Sequence, residues 1–168
     1  MRRGSSRIYK GISKGTLILE IRRTHPNDIN AIADMEAEIF SDPWSREDVL
    51  GILSSDGAMC YTALSDGKPT AYVIGRIIPP EGEIYRIATH PDYRKRGIAY
   101  RLLDYAVKTE MGHGLESLFL EVRSENSPAR ALYKSYGFIE IGVRRGYYKN
   151  PTDDAIVMLL VPRGESRG

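Results

Sequence analysis

The stretch Glu83-Ile84-Tyr85-Arg86-Ile87-Ala88-Thr89, continued by His90-Pro91-Asp92-Tyr93-Arg94-Lys95-Arg96-Gly97-Ile98-Ala99, decides the fold. Its first part, rich in β-branched and aromatic residues, reads as a strand. A basic loop follows. Then Ile98, Leu102, Leu103, Ala106 and Val107 recur as the buried stripe of an amphipathic helix that ends near Gly112-His113-Gly114. Leu118-Phe119-Leu120-Glu121-Val122 is a short apolar run suited to a central strand. Strand, helix and strand in this order predict a right-handed crossover between parallel strands.

Upstream, Leu17, Leu19 and Ile21 alternate with their neighbours as in a first strand over residues 16–22. His25-Pro26-Asn27-Asp28 supplies helix-start chemistry, and Ile29, Ile32, Ala33, Met35, Ile39 and Phe40 recur at helical spacing. Pro43-Trp44 breaks that helix, and Ser45 with Asp48 resembles a capping pair that opens a short helix through Leu53. Residues 59–65 and 70–78 read as a hairpin turning at Asp66-Gly67. Downstream, a helix from Pro128 to Tyr136 stops at Gly137, and residues 138–144 and 155–161 supply two more strands. The predicted class is α/β: a mixed, mostly antiparallel sheet of about seven strands, helices on both faces, and a parallel β-α-β unit at the centre.

At 168 residues, 42% hydrophobic and 27% charged, the chain has the size and composition of one ordinary globular domain. That domain is expected over residues 16–162, between a basic flexible tail at 1–15 and a short flexible tail at 163–168. The N-terminal tail holds Arg2, Arg3, Arg7, Lys10 and Lys14 and suits weak contact with an anionic surface. A net charge of +2 gives no further reason to expect nucleic acid as a partner. No apolar run approaches the roughly 18 residues that span a bilayer, and the start lacks the apolar core of a secretory signal. No membrane partner and a cytoplasmic location are therefore expected. The single cysteine, Cys60, excludes an intramolecular disulfide and a multi-cysteine zinc site, and no metal is expected. Within Met59-Cys60-Tyr61-Thr62-Ala63-Leu64 it reads as a small buried hydrophobe rather than a nucleophile.

Arg94-Lys95-Arg96-Gly97-Ile98-Ala99 lies between a strand and a helix, where free backbone N–H groups and the helix dipole attract phosphate. Gly97 lets an anion approach the backbone, Ala99 keeps the next turn small, and the three cations suit a pyrophosphate or a 3′-phosphate. A solvated basic turn would look the same. The loop is neither a Walker loop nor a dinucleotide fingerprint.

From Ile87 to Ala99 the chain resembles the acetyl-CoA motif of the GNAT superfamily of N-acetyltransferases, Arg/Gln-x-x-Gly-x-Gly/Ala. Leu120-Glu121-Val122-Arg123-Ser124-Glu125-Asn126-Ser127-Pro128-Ala129-Arg130-Ala131-Leu132-Tyr133 and Tyr136-Gly137-Phe138 look like the second half of that domain. The resemblance covers about residues 17–161. Within the superfamily it points to the RimI type, the ribosomal-protein alanine N-acetyltransferases, and to archaeal N-terminal acetyltransferases. It implies the GNAT fold, acetyl-CoA as co-substrate, and a protein or peptide N-terminus as acceptor, a ribosomal protein among the candidates. Transfer would be direct, in a ternary complex without an acetyl-enzyme. An acceptor lysine or small amine, or an acyl-CoA sensor without turnover, are the alternatives. A monomer or a homodimer fits equally.

By the same resemblance the cofactor would lie on Ile87, Ala88, Thr89, Arg94, Lys95, Arg96, Gly97, Ile98, Ala99, Asn126 and Tyr133. An α-amine (pKa about 7.7–8.0) loses its proton more readily than a lysine (about 10.4), so one carboxylate can serve as base, directly or through water. Glu121 occupies the family's base position, and as an acid in an apolar strand it is a place where a raised pKa is expected. Glu83 matches a second acidic position at the acceptor groove. Tyr133 would protonate the leaving thiolate, and Asn126 would contact the cofactor or simply cap the following helix. Trp44, with Tyr147 and Tyr148, would enclose the acceptor terminus. Two departures, Arg86 in place of the usual asparagine and the order Ser124-Glu125-Asn126, bear on acceptor specificity rather than on acetyl transfer.

Overall fold

A computed structural model describes residues 5–10 and 17–163. In chain order the elements are β1 (Arg7–Lys10), β2 (Ile18–Arg23), α1 (Ile29–Ile39), α2 (Arg46–Leu53), β3 (Ala58–Ser65) and β4 (Lys68–Ile78). They continue with β5 (Glu81–Thr89), α3 (Ile98–Met111), β6 (Ser117–Arg123), α4 (Ser127–Tyr136), β7 (Ile139–Tyr148) and β8 (Asp153–Leu160). The strands form one sheet in the order β1-β2-β3-β4-β5-β6-β8-β7, antiparallel except for β5 with β6. The predicted crossover through α3 is therefore present, with helices on both faces.

Each helix covers the face its apolar stripe dictates. Ile98, Leu102, Leu103, Ala106 and Val107 of α3 join Leu118, Leu120 and Met158 of the sheet in the main core, which Tyr133 and Phe138 extend. On the other face Ile32 and Met35 of α1 and Val49 of α2 pack on Cys60, Tyr72 and Ile74. Cys60 is the small buried hydrophobe expected of it, and burial pushes its thiol pKa up to about 11. The Ser45–Asp48 capping box opens α2 as read from the sequence: Ser45 Oγ accepts the Asp48 N–H (3.1 Å) and the Asp48 carboxylate accepts the Ser45 N–H (2.8 Å).

The described residues form eight strands against the about seven expected, and the added one falls inside the expected tail. Arg7–Lys10 pairs antiparallel with β2, from Arg7 opposite Ile21 to Lys10 opposite Ile18. Its anchor is Tyr9, which packs on the main core beneath the Arg7 and Arg101 guanidinium groups (5.8 and 4.9 Å). Charge alone hid a pair of good strand formers, Ile8-Tyr9, at the sheet edge. The rest of the expected tails, residues 1–4, 11–15 and 164–168, lies outside the described residues.

Two irregularities shape the middle of the sheet. First, β5 and β6 pair only from Glu81–Ile84 with Ser117–Leu120. Beyond that, β5 runs on against β4 to Thr89 and β6 against β8 to Arg123, so the two parallel strands part. Second, Ile74 opposes Arg86 while Gly75 opposes Ile84, leaving Tyr85 as an extra residue, a bulge at the point of parting. Gly75 permits this close approach, since a Cβ there would lie 2.3 Å from the Glu83 carbonyl oxygen and 2.8 Å from Met59 Cε. Gly75→Ala should therefore lower the stability measured by urea unfolding by about 1–3 kcal/mol, as overpacking does elsewhere. A change within about 0.5 kcal/mol would show that the bulge relaxes freely.

Candidate active site

The start of α3 is built to receive an anion. Gly97 is its N-cap, with φ +73°, so no side chain covers the first-turn amides. A Cβ at Gly97 would meet nothing within 4 Å, which leaves that turn open to solvent. The preceding loop is shaped by its own cations. Arg94 Nε donates to the Thr89 carbonyl (3.2 Å) and Arg96 Nη2 to the Asp92 carbonyl (3.2 Å), with the Arg96 guanidinium over the Tyr93 ring. Ile87 and Ala88 turn into the two cores, so on this stretch of β5 the backbone is what can meet a ligand. Uncapped amides beside Arg94, Lys95 and Arg96 fit the phosphates of acetyl-CoA.

Where β5 and β6 begin to part, a cleft of about 550 Å³ opens on the sheet face that α1 and α2 also cover. Glu83, Tyr85, Phe119, Glu121 and Arg144 line it, with Arg76 and Glu81 at its rim. Glu83 lies opposite Phe119 in the parallel ladder, and Glu121, two residues further along β6, faces the same way. The two carboxylates thus share one wall. Arg144 of β7 pairs with Glu121, Nε to Oε1 at 2.9 Å. Partial desolvation pushes the Glu83 pKa above its ordinary value, the Glu121 charge adds to this, and Arg144 opposes it. Glu83 is thus a carboxyl lifted by its surroundings.

Tyr147 and Tyr148 stand over this wall, edge to face at 5.1 Å. Hydrogen bonding to Glu121 raises the Tyr147 phenol, and burial followed by the Glu121 charge pushes Tyr148 up to about 12. The turn carrying them is tied down from β6. Arg123 donates to the Pro151 and Lys149 carbonyls (2.8 and 3.1 Å) and stacks on Tyr148 (4.4 Å), while Ser124 Oγ donates to Asp153 Oδ1 (2.5 Å). This is the physical use of the altered Ser124-Glu125-Asn126 order: Ser124 and the Glu125 N–H hold Asp153, and Asn126 is left to begin α4. The Asn126 side-chain oxygen accepts the Ala129 N–H (3.2 Å), so its NH₂ group is what remains for a ligand. Tyr133, about two turns on, is buried with its ring 5.6 Å from Phe138, and burial raises its pKa, keeping the phenol protonated.

Beside the cleft, next to Tyr85, the named residues Trp44 and Arg86 sit with two that the sequence reading missed, Phe40 and Glu36. Trp44 meets Tyr85 edge-on at 6.4 Å, and Arg86 lies between Phe40 and Trp44, 4.2 and 4.9 Å from the two rings. Beneath them sits Glu36, with no exposed surface. It accepts the Tyr72 hydroxyl (2.6 Å) and the Trp44 N–H (3.0 Å), and pairs with Arg86 Nε (3.6 Å). A signal was present: Glu36 lies four residues after Ile32, on the apolar stripe of α1, where an acid must find partners to be buried. Arg144 gave no such signal, since it sits in an exposed strand among other cations.

The sequence model described as the "Acetyltransferase (GNAT) family" matches residues 29–138, from the first residue of α1 to the threshold of β7. The ribosomal protein bS18-alanine N-acetyltransferase of Escherichia coli (strain K12) is 33% identical over 135 residues, 79% of this chain and 90% of that protein. N-alpha-acetyltransferase RimI of Mycobacterium tuberculosis is 36% identical over 137 residues, 78% of this chain and 85% of its own. The crystal structure of the Escherichia coli ribosomal-protein-S18-alanine N-acetyltransferase superposes with a TM-score of 0.79 at 30% identity, covering 88% of this chain and 97% of that one. The match runs through the parting strands and the uncapped start of α3 alike, and the chain belongs to the GNAT acetyltransferase family.

Proposed function

We propose that the chain moves the acetyl group of acetyl-CoA to the free N-terminal amine of a protein, and that a ribosomal protein beginning with alanine is one such acceptor. The observation that carries this reading is the carboxylate pair Glu83 and Glu121 beneath Tyr147 and Tyr148, where β5 and β6 part. A terminal amine, with its low pKa, needs only a weak base, and a carboxylate lifted above its usual range is one.

The first turn of α3 and the basic loop hold the phosphates, and the free edge of β5 from Tyr85 to Thr89 guides the thioester to the carboxylates. Acetyl-CoA supplies the thioester carbonyl. Trp44, Tyr85, Tyr147 and Tyr148 surround the acceptor terminus and leave less room for a lysine within a chain. As the amine nitrogen bonds to the carbonyl carbon, the Glu83–Glu121 pair takes its proton, directly or through a water. The carbon–sulfur bond breaks, and Tyr133, still protonated at neutral pH, gives its proton to the sulfur. The products are the acetylated terminus and free CoA. The relatives named for bS18-alanine support the ribosomal acceptor.

The test is mass-spectrometric mapping after incubation with acetyl-CoA and peptides beginning in Ala, Ser or Met-Leu, each with an internal lysine, beside N-blocked copies. Acetyl should appear on free termini only, with Ala preferred. Acetyl on lysines of the blocked peptides would overturn the reading.

A further inference from the structure

One guanidinium ties the segment between α1 and α2 to the Tyr85 side of the cleft. We propose that Arg86, seated on the buried carboxylate of Glu36, is a positioning residue for the acceptor: it fixes the segment 40–44 between α1 and α2, and through Trp44 it sets the place of Tyr85. This rests on the reading of the cleft as the acceptor site.

Three observations carry it. First, Arg86 uses nearly all of its fork on that segment and its support. Nη2 donates to the Asp42 carbonyl (2.8 Å), Nη1 lies 3.5 Å from Asp42 Oδ1, and Nε faces Glu36 at 3.6 Å. Second, its planar face is sandwiched by Phe40 and Trp44 at the two ends of the segment (4.2 and 4.9 Å). A lysine can copy the charge but neither the fork nor the stacking. Third, Glu36 binds the same segment independently, through the Trp44 N–H, and is itself held by Tyr72 of β4. Phe40, Asp42 and Trp44 are thereby clamped to α1 and to the central strands at once.

The clamp reaches the site through one contact. Tyr85, the extra residue of the β5 bulge, lines the cleft and takes the edge of the Trp44 ring. Arg86 follows it in the strand, so anything that frees the segment also frees the wall that an acceptor would touch. Glu83 shares β5 but lies before the bulge, held in the ladder opposite Phe119 of β6, while Glu121 and the α3 start lie on other elements with their own supports. The effect should therefore fall on acceptor binding, sparing the cofactor and the chemical step.

Trp44 is the only tryptophan of the chain, so its fluorescence reports this segment directly. Two variants are compared with the native protein: Arg86→Lys, and Arg86→Gln combined with Glu36→Gln, which leaves no unpaired buried charge. Thermal unfolding confirms that both fold. The Stern–Volmer constant for acrylamide quenching of Trp44 should rise at least about twofold. In peptide acetylation KM for the acceptor should rise about tenfold, the factor for losing one good charged contact, while kcat and KM for acetyl-CoA stay within about twofold. Unchanged quenching in both folded variants would overturn the clamp, and looser quenching with an unchanged acceptor KM would overturn its role in acceptor binding. If the native protein acetylates no peptide terminus, the acceptor reading falls, and the quenching comparison still decides whether Arg86 holds the segment.

Discussion

Replacing both cleft carboxylates, Glu83→Gln with Glu121→Gln, should lower kcat/KM for a peptide terminus by about 10²–10⁴-fold at neutral pH, the range a positioned base contributes. A loss under about threefold would remove general-base catalysis by this pair. The two single variants divide the work between them, because the groups are coupled. Glu121 raises Glu83 and Arg144 lowers it. Glu121→Gln should therefore move the Glu83 titration to lower pH, and Arg144→Gln should move it to higher pH, as read by carboxyl-carbon NMR. A Glu83 titration that does not move in Glu121→Gln would show that the two acids do not sense one another. The same shift bears on folding. A carboxyl raised in the folded state stabilises it when protonated, and that contribution is lost as pH rises through the folded value. At neutral pH ionised Glu83 thus costs stability, and Glu83→Gln should melt slightly higher while turning over more slowly.

Tyr133→Phe should lower kcat by about 10²-fold with little change in acceptor KM or melting temperature. The ring stays packed on Phe138, so only the hydroxyl is lost. A phenol kept neutral by burial is a proton donor at the pH where a thiolate leaves, and without it the sulfur departs unprotonated. The proposed role predicts that the loss shrinks for acetyl thioesters of more acidic thiols, whose sulfur needs no proton. An equal loss with all leaving groups would assign Tyr133 to packing instead.

Most of the fold was legible because periodicity is a local property. The α3 stripe, the Ser45–Asp48 box and the apolar run of β6 each declare themselves within a dozen residues, and the crossover follows from their order. What escaped depends on partners far away in the chain. Arg7–Lys10 is a strand only because β2 offers an edge and the core has room for Tyr9. Glu36 and Arg86 are fifty positions apart, and neither announces the other. Arg86 stood out as a departure from the family pattern, and its purpose became visible only beside Phe40, Trp44 and Glu36. The candidate site was readable as a list of residues through family resemblance. Its electrostatics was not, because the charge that sits on Glu121 comes from β7, a strand whose own sequence looks merely solvated.

The parting of β5 and β6 also has a consequence for how the two ligands bind. Past Ile84 the edge of β5 that faces β6 has no strand partner among the described residues, so this part of the sheet is held from one side only. An extended ligand rich in amides, such as the pantetheine arm of acetyl-CoA, can enter there as a missing strand and stiffen both margins. The conformational entropy is then spent on the first ligand, and the acceptor meets walls already ordered. Cofactor and acceptor should therefore strengthen each other's binding by the same factor, without any movement of domains. On this view the gap in the sheet is what ties the two ligands together, so that the acceptor is held most tightly when there is an acetyl group to give it.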